Sequence, residues 1–283
     1  MPRSNPRLLR PLPSGRSLDR LLNHYLVEKE IAERLKRADR EGRKAIYAGM
    51  YDELFARVPD HPRLAAARDS ASLAAHNARK FALVERFVNA STVFVEFAPG
   101  DCTFAYLVSG RAKRVIGVDI SNQSAPDVPA PDNFVLRIYD GLDLDSAEDR
   151  ADVVFSDQFI EHLHPDDVER HFRLVHRLLK PGGSYIFRTP HAFHGPFDIS
   201  AYFSETPEGF HLKEWTYGEL RGIVRIAGFG SWRGGLKRRG RYGECPVALF
   251  SGYERWIGGL PHRVRSIAAR AILPRHIYMR AIR

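Results

Sequence analysis

The chain has 283 residues, 44% of them hydrophobic and 27% charged, with a formal net charge of +9. That length holds one large domain with appendages, and the composition is that of an ordinary soluble globular protein. No apolar run approaches the ~18 residues of a membrane span, and two cysteines, Cys102 and Cys245, make neither a disulfide framework nor a metal-site spacing, which fits a reducing cytoplasm. The positive charge gathers in residues 3–20, in "WRGGLKRRGRYG" and in residues 262–283. Such charge suits nucleic acid, an anionic lipid surface or a phosphorylated substrate, and it equally suits plain solubility.

Residues 1–16 are basic and proline-rich without an apolar signal-peptide core, and are expected to form a disordered arm. Residues 17–41 space Leu18, Leu21, Leu22, Tyr25, Leu26, Ile31 and Leu35 as a helix does, and 43–58 repeat the pattern with Ile46, Met50 and Leu54. "PDHP" breaks the chain, and Pro62 opens a third helix expected to run to about Asn89. Residues 17–90 thus read as an all-helical region placed to act as a lid.

The pattern changes after Ala90. "TVFVEFA", "AKRVIGVDIS", "NFVLRIYD", "ADVVFSDQ" and "GSYIFRTP" are apolar runs of strand length, separated by loops or helices such as "DDVERHFRLVHRLLK". Near-continuous apolar strands alternating with helices predict a doubly wound, mostly parallel α/β sheet over 91–283. "EWTYGELRGIVRIAGFG" adds a helix and "HIYMRAIR" a final strand.

Ligands of such sheets bind at the carboxyl ends of the strands. The first strand runs into Glu96-Phe97-Ala98-Pro99-Gly100-Asp101-Cys102. A nicotinamide fingerprint wants three glycines where Ala98, Gly100 and Thr103 stand, so a dinucleotide pyrophosphate is poorly served. S-adenosylmethionine has no phosphate; it needs one close backbone approach and acids around its cationic end and ribose. Gly100 offers the first, and Glu96, Asp119, Asp140 and Asp157 end four consecutive strands. Recurring carboxylates at these ends are costly to bury without a purpose.

"VEFAPGDC", "GVDIS", "DVVFSDQFIEHLHPDD" and "VHRLLKPGGSYIFRTP" together resemble class I S-adenosylmethionine-dependent methyltransferases of the UbiE-like type, over about residues 80–230. The resemblance implies a Rossmann-like, seven-stranded sheet with a reversed last strand. It implies S-adenosylmethionine as cofactor, with Glu96, Ala98, Gly100 and Asp101 around the methionine end. Asp119 and Ile120 would meet the ribose, Asp140 and Gly141 the adenine, with Ser156, Asp157 and Gln158 at the end of strand four. Ala98 and Cys102 stand where the family has glycine. "LKPGG" reads as a structural turn.

An acceptor hydroxyl calls for a base, and histidine suits neutral pH. His191, His194 and His211 lie in or beside the long aromatic insert at about 190–215, on the ligand edge of the sheet, and are the candidate bases. His162 and His164 follow strand four. No metal ligand set is expected, because "HLHPDD" and "HAFH" lack a known spacing. The sequence therefore predicts a cytoplasmic methyltransferase acting on a hydroxyl of a small-molecule, sugar or glycan-type acceptor, one that carries phosphate suiting the charge. The competing readings are an RNA methyltransferase and a non-catalytic scaffold with this fold, binding a partner or a membrane surface through its basic ends. Nucleic acid is disfavoured by the lack of a separate RNA-binding module.

Overall fold

A computed structural model describes residues 7–65, 70–125, 128–144, 150–238 and 241–283. Helix α1 (Leu18–Arg37) begins at Ser17, whose hydroxyl accepts from Arg20 N–H, and α2 (Arg40–Arg57) at Asp39, which accepts from Gly42 N–H. Each cap satisfies an amide that the first turn leaves without an intrahelical partner. The stripe Val27, Ile31 and Leu35 packs on Tyr47, Met50 and Leu54, and on Phe210 and Leu212 from the insert. The third helix is described as α3 (Pro62–Ala65) and α4 (Ser70–Val84) and ends at Val84, before the expected Asn89; residues 66–69 lie outside the described residues.

The expected arm needs correction over its second half. Leu9 N–H donates to Tyr202 O at 2.8 Å, and Arg16 pairs with Asp60 at 3.0 Å and reaches His24 Nδ1 at 2.8 Å. Residues 7–16 are thereby tied to α1 and to the insert; residues 1–6 lie outside the described residues.

The chain then forms β1 (Val93–Phe97), α5 (Thr103–Ser109), β2 (Arg114–Asp119), β3 (Phe134–Ile138), β4 (Ala151–Asp157), α6 (Pro165–Leu178), β5 (Leu179–Pro190) and α7 (Tyr217–Ile226). It ends with β6 (Ser231–Arg238), β7 (Arg241–Cys245), α8 (Val247–Gly258), α9 (His262–Ile272) and β8 (His276–Ile282). The sheet order is β3-β2-β1-β4-β5-β8-β6-β7, with the first five strands parallel and β8 antiparallel to β5 and β6. The period-2 alternation of β1 splits two cores. Val95 and Phe97 face α6, α7 and α8, while Phe94 faces α4 and α5. Burying each such phenylalanine contributes about 2–3 kcal/mol.

The sheet has eight strands rather than seven. The edge strand is β7, which begins within the basic segment "WRGGLKRRGRYG". Gly234 and Gly235 hide the strand β6, because a Cβ at Gly235 would lie 1.9 Å from Tyr278 Cδ1 and one at Gly234 2.6 Å from Phe250 Cε2. Glycine is needed there for rings to lie on the sheet. No helix among the described residues is long and apolar enough to cross a membrane.

Helix α2 is locked to the domain. Arg43 makes two bonds of 2.7 Å to Asp167 at the start of α6, and both side chains are buried. Nearby, Tyr47 hydroxyl accepts from His164 N–H at 3.1 Å. Arg43→Ala would leave a buried carboxylate and is expected to cost on the order of 3 kcal/mol in urea unfolding, with Arg43→Ala/Asp167→Ala costing less than the sum of the singles.

Burial also holds His171 down to about 3 and His276 down to about 4, His276 being further lowered by Arg188. Their folded pKa values lie below the unfolded value of about 6.5, so their contribution is complete above that pH and is lost as pH falls toward the folded values. Unfolding midpoints should therefore drop from about pH 6.5 toward 4, and His276→Gln should flatten that slope.

Candidate functional site

The loop after β1 puts three alternate residues in the left-handed region: Ala98 at φ 53°, Gly100 at 58° and Cys102 at 61°. Only one is glycine, so two side chains bear a conformation that costs about 1–2 kcal/mol each. The loop is held in it by Ala98 N–H donating to Val118 O at 2.8 Å and by Gly100 N–H reaching Asp119 Oδ2 at 3.3 Å. A Cβ on Gly100 would meet no protein atom within 4 Å, so this turn opens onto space. Asp101 Oδ1 caps α5, accepting from Thr103 N–H at 3.1 Å. The Cys102 thiol is buried and pushed up to about 12 by burial and then by Glu96 and Asp119, which makes it a small packing residue rather than a nucleophile.

Glu96 is 1% exposed. Its Oε1 accepts from Lys80 Nζ of α4 at 2.9 Å, while Oε2 is buried without a hydrogen-bond partner. Burial raises its pKa, with Lys80 opposing. Asp119 is buried and accepts from its neighbour Ile120 N–H at 2.7 Å. Asp157 forms a two-point pair with Arg188, at 2.6 and 2.7 Å. Ser156 Oγ bonds Tyr185 hydroxyl at 2.8 Å, and that hydroxyl bonds His171 Nε2 at 2.9 Å. Gln158 takes φ 55° and buries an amide nitrogen without a partner.

Asp140 stands apart from this group. It is exposed, its Oδ1 accepts from Leu142 and Asp143 N–H, and Oδ2 pairs with Lys44 of α2 at 2.9 Å. Burial works against ionisation, but the Asp143 amide and Lys44 outweigh it and hold the pKa low. Gly141 (φ 84°) faces the Tyr47 ring, which a Cβ would approach to 3.2 Å, and Ile120. Helix α2 thus lies directly beside the ends of β2 and β3. Orphaned Glu96 Oε2, the open face at Gly100 and the acids at the ends of β1 and β2 fit a ligand with one cationic end and a ribose.

Beyond this edge is a cavity of about 890 Å³ between α1 and the insert, whose lining includes Arg16, His24, Glu28, Asp198, His162 and His211. Of the three candidate bases only His211 lines it. His191 is fully buried with Nε2 on Glu254 at 2.9 Å and Nδ1 accepting from Phe193 N–H at 3.1 Å, so both ring nitrogens are used. His194 is turned toward α9, its Nε2 on Leu273 O at 3.2 Å, and burial followed by His191 pushes it down to about 4.

His211 is the chemically distinctive one. Its Nδ1 lies 2.8 Å from Glu214 Oε1, and its own backbone N–H reaches Asp198 Oδ2 at 3.3 Å. Burial lowers its pKa, yet Glu214, Glu161 and Asp198 together raise it overall. Glu161 is fully buried; Oε2 accepts from Thr189 Oγ1 at 2.9 Å and Oε1 has no hydrogen-bond partner. His162 Nδ1 lies 2.9 Å from Phe210 O. One ligand-capable atom each of Glu161, His162 and His211 lie within 4.8 Å of one another, as do those of His24, Glu28 and His61. Such groups can take a proton or a cation. Sequence reading passes over Glu161, Asp198 and Glu214 because single acids in a loop look solvated; "IEH" immediately after strand four is the signal that was there.

The loop geometry makes a test. Ala98→Gly should relieve left-handed strain and raise stability by up to about 1 kcal/mol in urea unfolding, net of glycine's entropy cost. Gly100→Ala should lower stability by about 1 kcal/mol and weaken S-adenosylhomocysteine binding at least tenfold in calorimetry, since its methyl enters the open face.

Residues 95–187 match a family model described as a methyltransferase domain. Among curated proteins none matches the chain. Among solved structures, the fold is similar to one from a complex of the Haloferax volcanii Trm112 methyltransferase activator with a methyltransferase: 18% identity, TM-score 0.52, covering 77% of this chain and 94% of that one. It is also similar to a Haemonchus contortus phosphoethanolamine N-methyltransferase solved with phosphoethanolamine and S-adenosylhomocysteine: 13% identity, TM-score 0.54, covering 87% of this chain and 50% of that one. The sheet order with its reversed β8, the acidic strand ends and the matched span agree: the chain carries a class I S-adenosylmethionine-dependent methyltransferase domain.

Proposed function

We propose that the chain methylates a hydroxyl oxygen of a small-molecule, sugar or glycan-type acceptor seated in the cavity between α1 and the insert. The observation that carries this reading is the cavity's polar wall, where His211 is oriented by Glu214 just beyond the strand ends that would hold the cofactor. Glu96 and Gly100 hold the methionine end, Asp119 and Ile120 the ribose, and Asp140 with Gly141 the adenine side. Ala98 and Asp101 shape the loop, and Ser156, Asp157 and Gln158 form the floor at the end of β4.

S-adenosylmethionine supplies a methyl group on a sulfonium that departs as a neutral thioether. The chain's task is to align the acceptor oxygen with that methyl, exclude water and remove the hydroxyl proton. Helices α1 and α2 and the insert enclose the acceptor. The proton leaves through the cluster of Glu161, His162 and His211. Arg16 and Arg20 at the cavity wall favour an acceptor bearing phosphate.

The test is transfer of a labelled methyl group to a panel of sugars, sugar nucleotides and small alcohols, with phosphoethanolamine as the amine control and RNA as the polymer control. Label in a hydroxyl acceptor is expected. Asp119→Ala should weaken S-adenosylhomocysteine binding tenfold or more, whereas His211→Ala should leave binding intact and lower turnover by about 10²-fold or more. Label found in RNA or in the amine and in no hydroxyl would overturn the acceptor class. A folded protein that does not bind S-adenosylhomocysteine would overturn the enzyme reading in favour of a scaffold.

A further inference from the structure

We propose that Glu161, His162 and His211 form a binding site for one divalent first-row transition cation at the acceptor end of the cavity. The first ground is charge. Glu161 and Glu214 are buried, and Asp198 partly so, around His211, and among the described residues no lysine or arginine pairs with any of them. A buried carboxylate needs a cation, several N–H donors, a ligand or a proton. Asp198 has the N–H groups of Ser200, Gly209 and His211, whereas Glu161 and Glu214 each keep one buried oxygen without a hydrogen-bond partner. Elsewhere Glu96 has Lys80, Asp157 has Arg188 and Asp167 has Arg43.

The second ground is the set of supporting contacts. Metal-ligating imidazoles donate their other N–H to a carboxylate or a backbone carbonyl, and ligating carboxylates are themselves hydrogen-bonded. All three are present. His211 Nδ1 faces Glu214, and His162 Nδ1 faces Phe210 O. Each contact makes Nε2 the ligating nitrogen. Glu161 Oε2 is held by Thr189 Oγ1, which leaves Oε1, fully buried and without a hydrogen-bond partner, as the third donor. One ligand-capable atom of each of the three residues already lies within 4.8 Å of the others, so side-chain rotation can bring the set onto one ion.

The donor chemistry selects the ion. Two imidazoles and one carboxylate suit Zn²⁺, Co²⁺, Mn²⁺ or Fe²⁺, whereas Mg²⁺ and Ca²⁺ prefer oxygen throughout. Three protein ligands leave positions open toward the cavity, as in catalytic rather than structural sites. The neighbouring triad of His24, Glu28 and His61 lacks this arrangement. There Arg16 donates to His24 Nδ1, so Nε2 carries the proton to Glu28, and the second Glu28 oxygen accepts from Phe210 N–H. The role of the ion, though not its site, rests on the proposed transfer: with the ion bound, Glu161, His162 and His211 hold it instead of carrying the proton, and an acceptor hydroxyl ligated to it would lose its proton to water more readily and attack as the alkoxide.

The probe is Co²⁺ added to the metal-stripped full chain, followed by visible ligand-field absorption and by calorimetry, beside a separate titration with S-adenosylhomocysteine. One Co²⁺ per chain is expected, with absorption displaced by Zn²⁺ and not by Mg²⁺. Glu161→Gln and His211→Ala should each weaken Co²⁺ binding at least tenfold and keep S-adenosylhomocysteine affinity, which shows that they are folded. His24→Ala should leave Co²⁺ binding unchanged. Absence of Co²⁺ binding in a wild-type chain that binds S-adenosylhomocysteine would overturn the site. So would absorption that survives Glu161→Gln, or that is lost with His24→Ala instead. Co²⁺ binding by a chain that does not bind S-adenosylhomocysteine would keep the site and sink the methyltransferase reading.

Discussion

The cost of burying carboxylates organises this molecule. A carboxylate taken out of water must be given a cation, several N–H donors or a ligand, or it loses its charge. Lys80 reaches from α4 to Glu96, Arg43 from α2 to Asp167, and Arg188 along β5 to Asp157. Glu254 does the same with donors rather than a cation alone. It receives Tyr217 and Gly218 N–H at the start of α7 and bonds His191. These pairs are weak evidence for extra stability, but each fixes one element against another, because its loss strands a charge.

The same rule explains why the N-terminal helices belong to the site and are not an ornament on it. Glu28 of α1 is buried against the insert, between His24 on one side and Phe210 N–H on the other. Lys29 and Tyr25 both engage Glu208 of the insert. On the other flank Lys44 of α2 pairs with Asp140 and Tyr47 covers Gly141. The two helices therefore wall the cavity on one side and the ends of β2 and β3 on the other. The pairs differ in how readily they could part. Exposed ones such as Lys44–Asp140 can part at little cost in water, while Arg43–Asp167 stays as the anchor.

What the sequence could disclose follows from how local each feature is. The central parallel strands were legible because burial on both faces makes their runs apolar, and "HIYMRAIR" was legible as a final strand, its reversal being implied only by the family resemblance. The hairpin β6–β7 was not legible. In sequence it stood out only for its basic charge, and only the rings of Phe250 and Tyr278, distant in sequence, make Gly234 and Gly235 strand residues. The histidines show the same divide. His191, His194 and His211 look alike in sequence, and what separates them is Glu254, Leu273 O and Glu214, partners that only the fold brings near. For Glu161 the local sign was only "IEH" after strand four; that it is buried with no lysine or arginine partner among the described residues is a property of the whole surrounding shell.

The loop with one glycine makes the last point. A glycine pattern is usually read as permission for left-handed backbone, and its absence as refusal. Here Ala98, Gly100 and Cys102 all adopt φ between 53° and 61°. The register of β1 against β2 sends Ala98 N–H to Val118 O, and Asp119 draws the Gly100 amide, so the path is set from outside the loop. At 98 and 102 the small Ala98 methyl and the buried Cys102 thiol can be carried at the cost of some strain. At 100 the backbone faces open space that a ligand would fill, and there no side chain can be spared. The one glycine retained is the one whose backbone faces open space, and the loop keeps its left-handed path with Ala98 and Cys102 at the other two positions because that path is set from outside it.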